Sequence, residues 1–156
     1  MTEIKIIDFE ENMLDEIMQL FYDTVHFVNA KDYNEQQLER WAPSKPDVVS
    51  WKQRLENNIC KVAIVENTIA GFAELTDEGH VDTMYVHKDF QRIGVAANLM
   101  QELLNIVAER NYNELTTESS ITAKPLFEKY GFKVTRIKKK LYNGKDFINY
   151  EMTKAL

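Results

Sequence analysis

Residues 80–107, HVDTMYVHKDFQRIGVAANLMQELLNIV, leave little room for anything but a strand, a polar loop and a helix in succession. Residues 80–86 are rich in β-branched and aromatic side chains, residues 87–90 form a polar break, and Ala96, Leu99, Met100, Leu103 and Val107 then recur at helical spacing. At the junction stands Gln91-Arg92-Ile93-Gly94-Val95-Ala96. Its small residues let a ligand approach the backbone. The first N–H groups of a helix lack internal partners and sit at the positive end of its dipole, so the junction suits a phosphate. The run follows neither GxxxxGK[ST] nor GxGxxG, which removes the main support for a nucleoside triphosphate or a dinucleotide. Taken alone, the junction is also compatible with an ordinary strand-to-helix connection.

The flanks narrow this. The run resembles the acetyl-CoA-binding motif of the GNAT superfamily of N-acetyltransferases, (Gln/Arg)-x-x-Gly-x-(Gly/Ala), through Gln91, Gly94 and Ala96, one loop after a strand ending in the triplet Met84-Tyr85-Val86. A second block, Ser120-x-x-Ala123-x-x-Leu126-Phe127-Glu128-Lys129-Tyr130-Gly131-Phe132, resembles the family's Asn-x-x-Ala-x-x-(Phe/Leu)-Tyr-x-x-x-Gly-Phe. With the order of elements, the resemblance covers nearly the whole chain. The pieces TVHFVNAKDY, HKDFQ and ESSITAKP are similar to the small bacterial YafP-type branch of that superfamily.

A chain of 156 residues suits one domain, 1–156, that removes roughly two-thirds of its unfolded surface from water. A formal charge of −6 argues against a nucleic-acid binder and tolerates a cationic substrate. No apolar run approaches the ~20 residues of a membrane span, and MTEIKIIDFEEN lacks a signal-peptide core, so the expectation is a cytoplasmic protein with no membrane partner. Cys60 is the single cysteine, which excludes an internal disulfide and a cysteine-rich metal site; it reads as a buried thiol on an apolar strand, and no metal is expected.

In chain order, residues 4–8 read as a strand, and Asn12 precedes a helical pattern of Leu14, Ile17, Met18, Phe21, Val25 and Val28. Residues 26–41 are less regular and rich in polar and aromatic side chains; Pro43 and Pro46 break the run, and Asp47 is placed to cap a helix holding Val49, Trp51 and Leu55. Residues 59–65, IAGFAEL and 80–86 read as a meander turned at 66–68 and 77–79. A strand at 115–118, a short helix at 123–130 stopped by Gly131, and a hairpin of 134–142 with 147–152 around Asn143-Gly144 complete the chain. The order β-α-α-α-β-β-β-α-β-α-β-β predicts an α/β domain with a mixed, largely antiparallel sheet and helices on both faces. This agrees with the GNAT acyl-CoA N-acyltransferase fold, in which the organising strand and the strand at Leu115 run parallel and splay apart to admit the cofactor.

The resemblance implies acetyl transfer from acetyl-CoA to an amine of a small molecule or a peptide. It assigns the pyrophosphate to the N–H groups of Gln91, Arg92, Ile93, Gly94, Val95 and Ala96, with charge from Arg92, and the pantetheine arm to the backbone of Met84 and Val86. An N–H near Tyr85 or Val86 would meet the oxyanion, and Ser120 would contact pantetheine or pyrophosphate. Removing the amine proton needs a base or a path to water. Strand alternation places His80, Asp82 and Met84 on one face and Val81, Thr83 and Tyr85 on the other. Asp82 is the preferred base, His80 a possible relay and Glu74 a third candidate. The family's general-acid tyrosine is Phe127 here, which leaves Tyr130, Ser119 and Ser120 as the nearest hydroxyls. His26, Tyr33 and Trp41 are the expected walls of the acceptor pocket. Two rivals stand beside this reading: a CoA-binding sensor without turnover, and an interaction domain presenting Trp41, Trp51 and Phe27. The expected assembly is a monomer or a homodimer.

Overall fold

The computed structural model describes residues 2–142 and 145–156. Strand β1 (Lys5–Asp8) is followed by helices α1 (Leu14–Phe27), α2 (Glu35–Trp41) and α3 (Val48–Asn57), then by the meander β2 (Ile59–Val65), β3 (Thr68–Leu75) and β4 (His80–Val86). Helix α4 (Val95–Glu109), β5 (Glu114–Ser119), α5 (Lys124–Lys129), β6 (Lys133–Tyr142) and β7 (Lys145–Ala155) complete the order that the periodicity predicts. The Asn143-Gly144 turn lies outside the described residues. Among the described residues, no helix is long and apolar enough to cross a membrane.

Local chemistry explains most boundaries. Asp47 Oδ1 accepts the Ser50 N–H at 3.1 Å, as expected of the cap of α3. The region read as irregular contains α2 because Asn34 and Gln37 form a reciprocal capping box, both bonds at 2.9 Å. Asn12 does not cap α1; it lies in a 3-10 turn, Glu11–Met13, that leads straight into the helix. Glu66 and Asn67 take φ of 50° and 64°, the mirror-image turn whose twist suits a tight hairpin.

All strands form one sheet, in the order β1-β2-β3-β4-β5-β7-β6. Among the described residues, only the β4–β5 pair is parallel. Helix α4 covers one face with Val95, Leu99, Met100, Leu103 and Val107, packed with Ala63, Val65, Ala73, Leu75, Leu115, Phe127 and Phe132. On the other face Ile17 and Leu20 of α1 and Trp51 and Leu55 of α3 pack on Val62, Ile69 and Phe72. Each large side chain so buried contributes about 2 kcal/mol, which fixes both helical layers on a thin sheet. Gly71 sets where α4 begins. A Cβ there would lie 2.8 Å from Val95 Cγ1 and 2.9 Å from the Tyr85 carbonyl oxygen, so only glycine lets the first turn of α4 settle beside the end of β4.

Candidate active site

The parallel strands part almost at once. β4 and β5 pair only at His80↔Thr116 and Val81↔Thr117. Beyond Val81, β4 keeps its antiparallel ladder to β3, through Ala73↔Met84, Phe72↔Tyr85 and Gly71↔Val86. The Val86 carbonyl is turned from that ladder and accepts from Thr24 Oγ1 at 3.0 Å and Gln91 Nε2 at 2.7 Å. By the two-residue alternation of a strand, the backbone groups of Met84 and Val86 face the gap and those of Tyr85 face β3.

The gap opens into a cleft of about 1340 Å³. Its lining includes Met84, Tyr85, Val86, Gln91, Arg92, Gly94, Val95 and Ala96, and also His80, Asp82, Ser120 and Tyr130. Ile93 is not part of this lining, and its side chain is exposed. The loop is built to present backbone. Arg92 has φ of 62°, and Gly94, with φ of 98°, is the N-cap of α4 without any side-chain cap. The first-turn N–H groups of α4 therefore have neither an intrahelical carbonyl nor a capping side chain. Gln91 works differently from its neighbours. Its amide also donates to the His87 carbonyl at 3.3 Å, so its side chain ties the loop to the end of β4.

The expected alternation along β4 fails at one place. A register shift between Glu74 and Leu75 sets Thr83 opposite Glu74 and Val81 opposite Leu75, with Asp82 as the extra residue of a bulge. Val81 consequently packs in the α4 cluster together with Met84. Thr83 and Asp82 both turn to α3: Thr83 Oγ1 donates to Glu74 Oε2 at 2.5 Å, and Asp82 Oδ2 lies 3.9 Å from Arg54 Nε. Asp82 is exposed, its side chain 37% accessible in the cleft wall. His80 also lines the cleft, with Nδ1 2.8 Å from the Thr116 hydroxyl.

Glu74 is not among the residues that line the cleft. It is 0% exposed, and its oxygens are taken by Arg54 Nε at 3.0 and 3.2 Å, Thr83, and Asn58 Nδ2 at 3.4 Å. Its part is to hold Arg54, whose guanidinium also stacks over Trp51 at 4.2 Å. Arg54, Thr24 and Thr83 escaped the sequence reading. A signal for Arg54 was present, because a carboxylate within IAGFAEL needs a cation once that strand is buried. Glu74→Gln is expected to destabilise the fold by about 2 kcal/mol, less than a fully buried broken pair because Arg54 is partly exposed. Chemical denaturation checks this, and an unchanged midpoint would show that Arg54 does not depend on Glu74.

Tyr130 ends α5 and faces the cleft. Ser120, also in its wall, uses its hydroxyl to accept the Ala123 N–H at 3.0 Å, while the Ser119 hydroxyl donates to the Ser120 carbonyl at 2.8 Å. Phe127 is buried edge-to-face on Phe132, centroids 5.1 Å apart. Of the three expected acceptor-pocket residues, the cleft lining includes Trp41 but not His26 or Tyr33. The ring of His26 stacks on Tyr22 at 4.1 Å, with Nε2 2.7 Å from the Ala42 carbonyl. Tyr33 is 7% exposed; its hydroxyl accepts the Ile121 N–H at 2.8 Å and donates to the Ile148 carbonyl at 3.3 Å. Burial raises its pKa above the usual phenol value. Both polar groups are thus spent inside the fold. Trp41 Nε1 donates to the Tyr85 hydroxyl at 3.1 Å, and burial raises the pKa of that phenol well above its usual value.

The interaction surface imagined for Trp41, Trp51 and Phe27 does not form. Trp51 is buried and Trp41 partly buried among aromatic rings, leaving Phe27 alone exposed. Cys60 is buried as expected, and loss of solvation, helped by the charge of Glu74, pushes its thiol up to about 12. At neutral pH it is not a nucleophile.

Comparison with known proteins bears on the same cleft. The family model for the acetyltransferase (GNAT) domain matches residues 29–154. YafP of Escherichia coli (strain K12), named as an uncharacterized N-acetyltransferase, is 30% identical over 152 residues, covering 97% of this chain and 96% of its own. A GCN5-related N-acetyltransferase from Rhodopseudomonas palustris superposes with a TM-score of 0.92 at 27% identity, covering 100% of this chain and 98% of its own. The PaiA N-acetyltransferase of Thermoplasma acidophilum, solved in complex with coenzyme A, has the same fold with a TM-score of 0.80 at 17% identity, covering 99% of each chain.

Proposed function

Because the chain belongs to the GNAT acetyltransferase family and is an N-acetyltransferase, we propose that it acetylates a primary amine of a small molecule or peptide by direct attack on acetyl-CoA in a ternary complex. The observation that carries this reading is the gap beyond Val81, where β4 offers an edge that no strand pairs beside the uncapped start of α4 in one continuous cleft. At about 1340 Å³ the cleft exceeds the usual range for one drug-sized ligand, as room for a long donor and an acceptor requires.

The residues present suit the donor. The first-turn N–H groups of α4, with Arg92, would hold its pyrophosphate. The Met84 and Val86 edge would pair with its amide-bearing arm through the groups that Thr24 and Gln91 leave free, and the Val86 N–H would meet the charge that develops on the carbonyl oxygen. The bound donor supplies an activated thioester. The protein's part is then to move protons. Asp82 takes one from the ammonium of the acceptor, with His80 as a relay, so that the nitrogen lone pair can form the C–N bond as the C–S bond breaks. The second proton of the nitrogen is lost after attack, and the departing sulfur takes one. Tyr130 would make that donation, with Ser119 and Ser120 the other nearby hydroxyls in the cleft wall, since Phe127 has none. A thiolate with a pKa near 8.5 also leaves tolerably without help, so this role is worth about 10²-fold or less.

The test is release of free thiol from acetyl-CoA in the presence of a panel of primary amines. Amine-dependent release supports catalysis. Saturable CoA binding with no release from any amine would instead make the protein a CoA sensor, the alternative that a buried phenylalanine at position 127 leaves room for.

A further inference from the structure

A second cavity, of about 580 Å³, lies behind the acceptor end of the cleft, between α1, α3 and the segment that joins α2 to α3. The two spaces are separated by one layer of side chains, because Phe21, Trp41 and Arg54 line both. The far walls of the second cavity set the apolar and aromatic Met18, Tyr22, Pro43, Pro46 and Trp51 beside polar side chains, Gln19, Ser44 and Ser50 among them. Phe21 is edge-on to Trp51 and to Tyr85, both at 4.9 Å, so an aromatic surface runs unbroken from this cavity to the reacting strand. Among the described residues lining it, the only cation is Arg54, set against Asp15 and Asp47. Arg54 brings no spare positive charge, since it faces Glu74 at 3.0 Å and Asp82 at 3.9 Å. Its Nη2 is buried without a hydrogen-bond partner, which marks the partition as the imperfectly satisfied part of the wall.

We propose that this cavity holds the body of the acceptor, and that the acceptor is a primary amine on a short carbon chain ending in an aromatic or similar apolar ring, with no carboxylate. This rests on the acetyl-transfer reading above and gives it a substrate class. Aromatic walls reward a ring by area and edge contacts, and face a cation favourably. The carboxylates around them attract an ammonium and repel a second carboxylate. To reach Asp82 the amine chain must displace a side chain of the shared layer, Arg54 being the one that lies 3.9 Å from that carboxylate. A polyamine would leave the aromatic walls unfilled, and an amino acid would bring a further negative charge to a region where Asp15, Asp47, Glu74 and Asp82 already surround one cation, although Arg54 Nη2 has a free donor.

Of the chain's two tryptophans Trp51 lines this cavity and Trp41 lines both spaces, so their fluorescence reports an amine in either and the filled variants below separate the two. With CoA present, 2-phenylethylamine is expected to change that fluorescence saturably below about 10 mM. With acetyl-CoA, its kcat/KM should exceed those of phenylalanine, spermidine and a tetrapeptide by about ten-fold or more. Ser50→Phe, from the first turn of α3, and separately Gln19→Phe, from α1, fill the cavity from two sides. Each should raise KM for 2-phenylethylamine by about ten-fold while acetyl-CoA binding stays as in the wild type. Absence of any saturable fluorescence change overturns the proposal. So does preference for phenylalanine, spermidine or the peptide, or an unchanged KM in whichever filled variant folds. Saturable fluorescence with no thiol release from any amine would overturn the acetyl-transfer reading instead and leave the binding site standing.

Discussion

Asp82→Asn is expected to slow amine acetylation at neutral pH by about 10²-fold, equivalent to about 2.7 kcal/mol of transition-state stabilisation. The substitution keeps the shape and hydrogen-bonding capacity of the side chain and removes only its capacity to take a proton. A lysine-like amine has a pKa of about 10.4, so at neutral pH nearly all of it is protonated and cannot attack. The defect should shrink as pH rises toward that value, because solvent then supplies the neutral amine. Acetyl-CoA affinity should not move, since the donor's assigned contacts are at Met84, Val86 and the start of α4. His80→Gln is the companion variant, with a smaller loss if His80 only relays the proton. A wild-type rate and pH profile in Asp82→Asn, with loss in His80→Gln, would reverse the two roles. Wild-type behaviour in both would mean that the amine loses its proton to solvent and that the cleft only positions it.

Gly94→Glu should abolish the stabilisation that acetyl-CoA confers, which for a ligand at 100 times its dissociation constant is about 2.7 kcal/mol. Two effects combine. Gly94 has φ of 98°, where an L-residue is strained by about 1–2 kcal/mol, and the glutamate sets a negative charge where a pyrophosphate is assigned. Gly94→Ala separates them. Its Cβ would meet Asn98 Nδ2 at 3.7 Å and Ile4 Cδ1 at 3.8 Å, ordinary contacts, so that variant carries the strain without the blocking charge. Thermal melts with and without acetyl-CoA should show both variants less stable alone, with the ligand shift retained in part by Gly94→Ala and lost in Gly94→Glu. An undiminished shift in folded Gly94→Glu would place the pyrophosphate elsewhere.

Much of the architecture was legible because it is written in local rules. Period-3.6 and period-2 patterns, the Asp47 cap and the turns at Glu66-Asn67 and Gly79 act over a few residues, and they gave away the strands and most helices in order; α2, in a stretch that reads as irregular, is the exception. The junction at residues 91–96 was legible for the same reason: a strand, a loop and a glycine-led helix start are local events.

The interior of the site was not legible, because its residues meet only through pairings distant in sequence. Glu74 looked like a candidate base until α3 brought Arg54 against it across 20 positions, and burial then made it a fully occupied structural anion. The bulge that turns Asp82 toward Arg54 arises from β3–β4 register, which a uniform two-residue alternation cannot anticipate. Tyr33 and His26 looked like pocket walls because polar aromatics in an irregular stretch suggest a ligand. The fold instead spends their polar atoms on Ile121, Ile148 and Ala42, since a buried hydroxyl or ring nitrogen must find a partner wherever the chain supplies one. The sequence by itself thus determined most of the secondary structure, the family and the glycine-led start of α4. Tertiary packing decided which charged and aromatic side chains face the cleft and which are consumed in holding it, because burial and partner choice depend on contacts that no local pattern records.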